Sequence, residues 1–518
     1  MAYRPVAIGG VAGIGAATLV VALIFAALLA VLSRAEVGAG LGPADWAAVR
    51  FTVWQAFLSA VLSVALAIPV ARALARRRFP GRGVLVTLLG APFILPVIVA
   101  VLGLLTVFGR AGWVNLGLGA LGLPPISIYG LHGVVLAHVF FNLPLATRML
   151  LQGWETIPAE RFRLLAQLRL TPLATFRAVE LPLLRQLVPG VAALIFVICL
   201  TSFAVALTLG GGPRATTVEL AIYQAFLFDF DLGRAALLSL TQLVLAGGAA
   251  VAALWMIPPI SLGGGLDRTV QRWDAHRGVA RWLDAAVILL AAAFLLVPLG
   301  AILARGLVGL GALPRGVWLA AGQSLGVAAV SVLVLCALAL PMAGWIASRR
   351  HGSAEAIGLL GLSASPLMIG TGWFILINPV LDPARLALPV TALVNALMAL
   401  PFALRILVPR LRDTLADYGR LSQTLGLRGW PLWRWIVLPR LRRQIGFATG
   451  LTAALSIGDL GVIALFADQE RVTLPLQMYR LMGSYQMAAA AGAALMLLAL
   501  SLGAFWICDS WGRADAEA

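Results

Sequence analysis

Five stretches of this chain, residues 5–33, 235–266, 316–348, 356–381 and 481–508, carry no charged side chain at all. About 20 apolar residues are enough for a helix to cross the hydrocarbon core of a bilayer. In that medium every backbone N–H and C=O must be paired within a helix or a closed barrel. The runs are continuous rather than alternating, so they read as helices. Composition agrees. Hydrophobic residues make up 61% and charged residues 11%, whereas soluble domains are roughly a quarter charged. The expected fold class is all-α integral membrane, with about twelve spans centred in 7–32, 51–71, 84–108, 131–150, 187–209, 236–261, 285–304, 318–346, 356–378, 387–407, 446–466 and 486–508.

Every basic residue is an arginine. With twelve spans, Arg4, five arginines at 72–82, six at 148–185, four at 268–281, Arg349, Arg350, nine at 405–443 and Arg513 fall on one side, and the remaining ten are spread over the other. The positive-inside rule then places both termini in the cytoplasm. Because the arginines sit between spans, the net charge of +17 reflects topology rather than nucleic-acid binding. The first apolar run is long for a signal-peptide core, lacks a small-residue cleavage site and reads as a retained span. Cys199, Cys336 and Cys508 lie in apolar runs without paired spacing, as small core residues do.

The chain also repeats itself. Pro144 and Pro401, Arg148 and Arg405, Arg163 and Arg420, Phe176-Arg177 and Trp433-Arg434, and Leu181-Pro182 and Leu438-Pro439 are each 257 residues apart, and Thr217–Tyr223 is echoed by Thr473–Tyr479 at 256. Internal duplication in a membrane protein is a frequent mark of a transporter whose pathway lies between the repeats. The expected division is an N-terminal half at 1–262, a Gly-rich and then charged linker at 263–281, and a C-terminal half at 282–518.

The repeat runs through the two longest basic loops, near 152–186 and 409–445. Pro158 can start a helix through Arg161–Leu168, Thr171-Pro172 breaks it, and a second segment follows. In the second copy the helix Leu415–Leu425 ends at Gly426, a residue suited to a left-handed turn; Trp430-Pro431 opens the next segment and Leu438-Pro439 ends it. Leu164, Leu165 and Leu168 are expected on one face with arginines on the other. Such a helix can lie on anionic lipid. The matched register of two copies favours docking a cytoplasmic partner.

This helix-Gly-helix-Leu-Pro pattern resembles the EAA loop of ABC-importer permeases. The second copy has Gly426, Ile436, Leu438 and Pro439 at the family's spacings. The first has Val179, Leu181 and Pro182 but Arg169 at the glycine position, and both have arginine, Arg163 and Arg420, where the family usually has glutamate. The stretch from Thr201 to Gln224, and Leu165-Ala166-Gln167-Leu168 with Phe176–Glu180, are similar to the thiamine and thiamine-diphosphate importer permeases of Gram-negative bacteria. The fused two-half plan is shared with ferric-iron permeases. The resemblance implies a type I, MetI-like importer permease in the bacterial inner membrane, working by alternating access. Its implied partners are two copies of a cytoplasmic ABC ATPase on the two loops and a periplasmic thiamine-binding protein, with no nucleic acid. It implies no cofactor on this chain, ATP and Mg being held by the ATPase. A chain without lysine cannot build a Gly-x-x-x-x-Gly-Lys phosphate loop.

Polar groups inside spans are costly and face a bundle interior or a cavity. Ser202 and Asp459 are equivalent at the 257 offset, as are His138 and Asn395, and Asn142 lies one turn from His138. These are candidates to line a path, and hydrogen bonding between helices would use the same residues. Glu219, Asp229 and Asp231 are expected in an outer loop, solvated or facing a binding protein or a cationic thiazolium. Thr217, Glu219, Tyr223, Thr473 and Tyr479 mark a duplicated outer gate. A proton-coupled secondary transporter is the rival class, and it needs ionisable groups deep in the spans, of which Asp459 is the clearest. A membrane enzyme finds no clustered His, Cys or carboxylate set, because the four histidines are scattered.

Overall fold

The computed structural model describes residues 10–36, 38, 40–90, 92, 94–168, 170–256, 278–348, 365–466, 468 and 470–513. Among these residues every regular element is helical, and eleven helices are long and apolar enough to cross a bilayer. They fall at eleven of the twelve expected positions. At the ninth, Pro366–Ile377 is an apolar helix of 12 residues, and the start of that expected span lies outside the described residues. The third expected span is interrupted. Arg82–Leu88 stops before a segment containing Gly90, Pro92 and Pro96, and the crossing helix begins only at Val97. Prolines lack the N–H that a continuous helix needs at those positions. Most of the expected linker 263–281 lies outside the described residues; its last residues already belong to a helix starting at Gly278.

The main helices form two matched series. The first comprises α1 (Gly10–Arg34), α2 (Pro43–Arg76), α3 (Val97–Phe108), α4 (Leu131–Glu155), α5 (Leu181–Leu200), α6 (Val218–Leu227) and α7 (Leu232–Met256). The second comprises α8 (Gly278–Gly309), α9 (Arg315–Ala347), α10 (Pro366–Ile377), α11 (Ala387–Thr424), α12 (Leu438–Gly458), α13 (Leu474–Gly483) and α14 (Met487–Arg513). In each series the second, fourth and fifth helices pack together as a core: α2 with α4 and α5, and α9 with α11 and α12.

The first helices cross over. α1 packs on α9 and α10 of the second series as well as on its own α7, and α8 packs on α2 and α3 of the first series as well as on its own α14. Small residues permit the crossings, as is usual where helix backbones approach closely in a membrane. A Cβ on Gly372 of α10 would stand 2.3 Å from the Ala27 carbonyl oxygen of α1, and one on Gly103 of α3 would stand 2.8 Å from the Pro298 carbonyl oxygen of α8. The two series are therefore interlocked by an exchanged helix at each end.

Candidate functional site

The two repeated loops join equivalent helices, α4 to α5 and α11 to α12, and their backbone repeats in detail. In the first copy the helix Ala159–Gln167 closes with the Leu170 N–H donating to the Leu165 carbonyl; in the second, α11 closes with the Leu427 N–H donating to the Ser422 carbonyl. Both are the six-residue closing bond of a Schellman end. Gly426 supplies the left-handed residue in the second copy, with φ +67°. Arg169, its counterpart, lies outside the described residues.

The same faces are presented in both copies. Phe162 and Leu165 point inward, as do Gly419 and Ser422, while Arg163, Gln167 and Arg420 are exposed. Leu164 and Leu168 are 56% and 61% exposed, and their counterparts Leu421 and Leu425 are 51% and 61% exposed. The sequence expectation of a single Leu164–Leu165–Leu168 face is thus corrected. The inward pair is Phe162 with Leu165, three residues apart on one side of the helix, and the other two leucines flank the arginines in solvent.

Leu438-Pro439 does not end its segment, contrary to expectation, and neither does Leu181-Pro182. Leu181-Pro182 and Leu438-Pro439 each follow one widened turn, Phe176–Glu180 and Trp433–Val437, in which the Leu181 N–H donates to the Phe176 carbonyl and the Leu438 N–H to the Trp433 carbonyl. This spacing of five is a π turn, a feature that recurs at functional sites. It takes up the proline that an unbroken α-helical ladder would exclude. Leu181, Ile436 and Leu438 are half-buried on these turns, and Pro182 and Pro439 are exposed.

What holds the loops differs between copies. The Glu180 carboxylate, fully buried, accepts the Arg72 Nε–H at 2.6 Å, and the Arg72 guanidinium lies over the Phe176 ring at 5.1 Å. Asp284 of α8 accepts from both Arg76 and Arg77 of α2, with the Arg77 contact at 2.7 Å. In the second copy the Arg440 guanidinium lies over Tyr418 at 4.5 Å, and Arg442 over Trp511 of α14 at 4.9 Å.

Away from the loops, Ser202 and Asp459 sit at equivalent breaks. α5 stops at Leu200 before a short helix Ala204–Leu209, and α12 stops at Gly458 before Gly461–Phe466. Discontinuous helices near the midplane are where transporters place their sites. Asp459 Oδ1 accepts the Gly461 N–H at 3.2 Å, while its buried Oδ2 meets no partner among the described residues. The Ser202 hydroxyl bonds His138 Nε2 at 2.8 Å, and His138 Nδ1 bonds the Ser59 hydroxyl at 3.2 Å. Asn142 donates to the His138 carbonyl at 2.9 Å and to Cys199 Sγ at 3.3 Å. In the second copy Asn395 donates to the Ser456 hydroxyl at 3.1 Å, which in turn bonds Ser331 at 2.9 Å. His138, Asn142 and Asn395 are thus buried pegs between helices beside the two breaks.

The outer-gate candidates lie on α6 and α13, which are sunk among the spans rather than exposed. The Thr52 hydroxyl of α2 accepts the Val218 N–H at 2.9 Å, and the Ser324 hydroxyl of α9 accepts the Leu474 N–H at 2.8 Å. Thr217 also caps α6 by accepting from the Leu220 N–H at 3.3 Å, while the Thr473 hydroxyl is buried without a partner among the described residues. Tyr223 packs on Phe203 with ring centroids 5.3 Å apart. Asp468, in the turn before α13, accepts the N–H groups of Arg471 and Glu470, which hold its carboxyl below the usual carboxylate range. Asp229 is paired with Arg234 at 3.0 Å, and Arg234 also binds Asp45 at 2.8 Å. Glu219 is corrected outright. It lies in the first turn of α6 and is fully buried, because α6 folds back against α10 instead of crossing solvent.

Sequence reasoning missed Thr52, Ser59, Ser324 and Ser331. Their signal is a third repeat offset, 272, that relates Thr52 to Ser324 and Ser59 to Ser331.

No protein-family model matches the chain. It is 42% identical over 517 residues to the thiamine transport system permease protein ThiP of Escherichia coli K12, covering 96% of this chain and 95% of that one. It is 40% identical over 482 residues to ThiP of Brucella abortus 2308, covering 91% and 89%. A shorter match, 33% identical over 183 residues, is to the molybdenum transport system permease protein ModB of Azotobacter vinelandii, covering 34% of this chain and 78% of that one. With this likeness spread over nearly its whole length, the chain belongs to the family of thiamine transport system permease proteins.

Proposed function

We propose that this chain is the membrane subunit of an ATP-driven importer that moves thiamine or its phosphates from periplasm to cytoplasm across a bacterial inner membrane, with both termini cytoplasmic. The observation that carries the reading is the duplicated loop, with the same exposed leucine pair, closing bond and π turn in each copy. A lipid-lying helix has no need of such a repeat. Two copies of a separate ATPase dock on the two loops, one on the face of Arg163 and Gln167 and the other on that of Arg420 and Gly426. The continuous helices through Pro182 and Pro439 carry their closure into the spans. Residues 1–262 and 282–518 act as the two halves, joined by 263–281. A binding protein delivers cargo to the outer end, α6 and α13 gate it, and the breaks at Ser202 and Asp459 line the path. ATP and Mg stay on the ATPase, so the chain itself performs no chemistry. Thiamine comes from the names of the relatives.

The test is ATPase activity of the chain reconstituted with its ATPase and binding protein, with and without thiamine diphosphate. Stimulation by the loaded binding protein, absent with ferric ion, is expected. Coupling without a thiamine response would discard the cargo and keep the importer; failure of any ATPase to associate would discard both.

A further inference from the structure

The Glu219 carboxylate is 0% exposed, and neither of its oxygens meets a donor in hydrogen-bonding geometry among the described residues. The polar groups beside it are Ser365, at the start of α10, and Gln242 of α7. The Gln242 amide nitrogen donates to the Leu200 carbonyl at 2.9 Å, and the Gln55 amide nitrogen to the Cys199 carbonyl at 2.9 Å. Two glutamines thereby hold consecutive carbonyls at the end of α5, one residue short of the break at Thr201 and Ser202. Their own oxygens, Gln242 Oε1 and Gln55 Oε1, are buried and unpartnered among the described residues. Both glutamines that hold the end of α5 thus keep an unused acceptor, and Glu219 stands beside one of them, Gln242.

Unpaired buried acceptors are expensive, and a buried charge without a partner is more so. Glu219 has the neutral Ser365 hydroxyl and Gln242 amide as its polar neighbours and no cationic one among the described residues, and such a buried carboxyl suits a ligand that brings positive charge. The surroundings narrow its shape. One turn from Glu219, Tyr223 faces Phe203. Further along α6, Phe226 meets Phe374 of α10 at 4.4 Å. Cations bind over aromatic faces as well as beside carboxylates. A Cβ on Gly461, two residues from Asp459, would stand 3.8 Å from the Phe203 ring, so the second break adjoins the same aromatic group. α6 packs on α7 and α2 of its own series, and it also touches α10 and the helix Gly461–Phe466 of the second, where Phe226 meets Phe374. Under the transport reading proposed above, this contact between the two series is the seam that parts.

We propose that Glu219, with the oxygens of Gln242 and Gln55, is the transient binding site for the positive ring of a flat heteroaromatic cation passing between the two series. The inference rests on the cargo reading above and deepens it, because the thiazolium of thiamine is such a ring. In the closed seam the carboxylate has only neutral neighbours among the described residues; when the seam opens, the cargo supplies a cation.

The experiment measures thiamine uptake by the complete transporter in proteoliposomes, saturated with loaded binding protein, for the native chain, Glu219→Gln and Glu219→Asp, together with the thermal unfolding midpoint of each. Gln keeps the shape and loses the charge; Asp keeps the charge and loses the shape. Uptake is expected to fall at least tenfold in Glu219→Gln and less than threefold in Glu219→Asp, with the midpoint of Glu219→Gln unchanged or raised. Equal or better uptake by Glu219→Gln than by Glu219→Asp overturns the proposal. So does a lowered midpoint in Glu219→Gln, which would mean that the carboxylate holds the fold together. Failure of the native chain to take up thiamine overturns the cargo reading instead, and the proposal with it.

Discussion

The two repeated loops have one backbone and two ways of holding it. In the first copy a buried carboxylate, Glu180, sits in the π turn and takes Arg72 of α2. In the second, the same position is Val437, fully buried, and the residue matching Arg72 at the 272 offset is Gly344. There the arginines lie on aromatic rings, Arg440 on Tyr418 within the loop and Arg442 on Trp511 of α14. The closing bond, the widened turn and the exposed leucines are kept in both. The outward features are duplicated, and the inner fixings have diverged. A rigid lever needs its outer shape repeated, whereas any sufficiently strong anchor serves behind it.

The comparison breaks hardest if the ionic anchor is moved to the wrong copy. Val437→Glu puts a carboxylate into a fully buried position without the arginine that Glu180 has. An uncompensated buried charge costs about 3–5 kcal/mol. The expected outcome is a large drop in the thermal unfolding midpoint of the purified protein. A midpoint within a degree of the native one would mean that the second loop holds a hidden cationic partner. The reverse exchange, Glu180→Val, should cost less. Arg72 is left without its carboxylate, but its side chain is 24% exposed and can turn to water. The expected loss is about 1–3 kcal/mol, with ATPase coupling reduced more than ATPase binding.

Much of this was legible in the chain before any coordinates. The spans follow from uncharged runs, and the loops follow from a 257-residue repeat that survives in Pro, Arg and Leu-Pro positions, residues whose geometry cannot be exchanged freely. What stayed hidden has physical reasons. The seven residues from Thr217 to Tyr223 carry one charge between apolar groups, and their duplicated position reads as a short outer helix with Glu219 at the surface. Only tertiary packing shows that they fold back as α6 and bury Glu219. The Thr52 and Ser324 bonds were invisible because the two series differ in length between their second and fourth helices, so the offset changes from 272 to 257 and the paired residues are Thr in one copy and Ser in the other. The π turns leave no composition signal, because a proline after leucine reads as a helix stop. The crossing of α1 and α8 is carried by glycines at the contact, which look like any other glycine in an apolar run.

A smaller effect sharpens the comparison at the closing bond. Gly426 has φ +67°, and a Cβ there would meet nothing within 4 Å. Gly426→Ala therefore loses only the left-handed conformation, about 1–2 kcal/mol. A loss beyond that in the assembled transporter, absent in the isolated chain, would show that the partner ATPase packs against this residue. Unchanged stability in both would mean that the turn has a second conformation open to an L residue.

The smallest expected effect concerns the aromatic fixing itself. Arg440 stands 4.5 Å from the Tyr418 ring centroid, in a loop whose neighbouring side chains are mostly exposed. Cation–π contacts at such sites contribute about 0.5–1 kcal/mol. Tyr418→Leu keeps an apolar body and removes the ring face, so the unfolding midpoint should fall slightly and Arg440→Gln should add little to it. The informative quantity is the coupling in that double-mutant cycle, set beside the Glu180→Gln and Arg72→Gln cycle in the first copy. A buried carboxylate–guanidinium pair should give the larger coupling, because removing either partner strands the other. If the two couplings come out equal, the second loop is held as firmly by rings as the first is by charge, and the divergence between the copies is one of chemistry alone. If the Tyr418 cycle shows none, the second loop depends on Arg442 and Trp511, and its anchor is α14 rather than the loop itself.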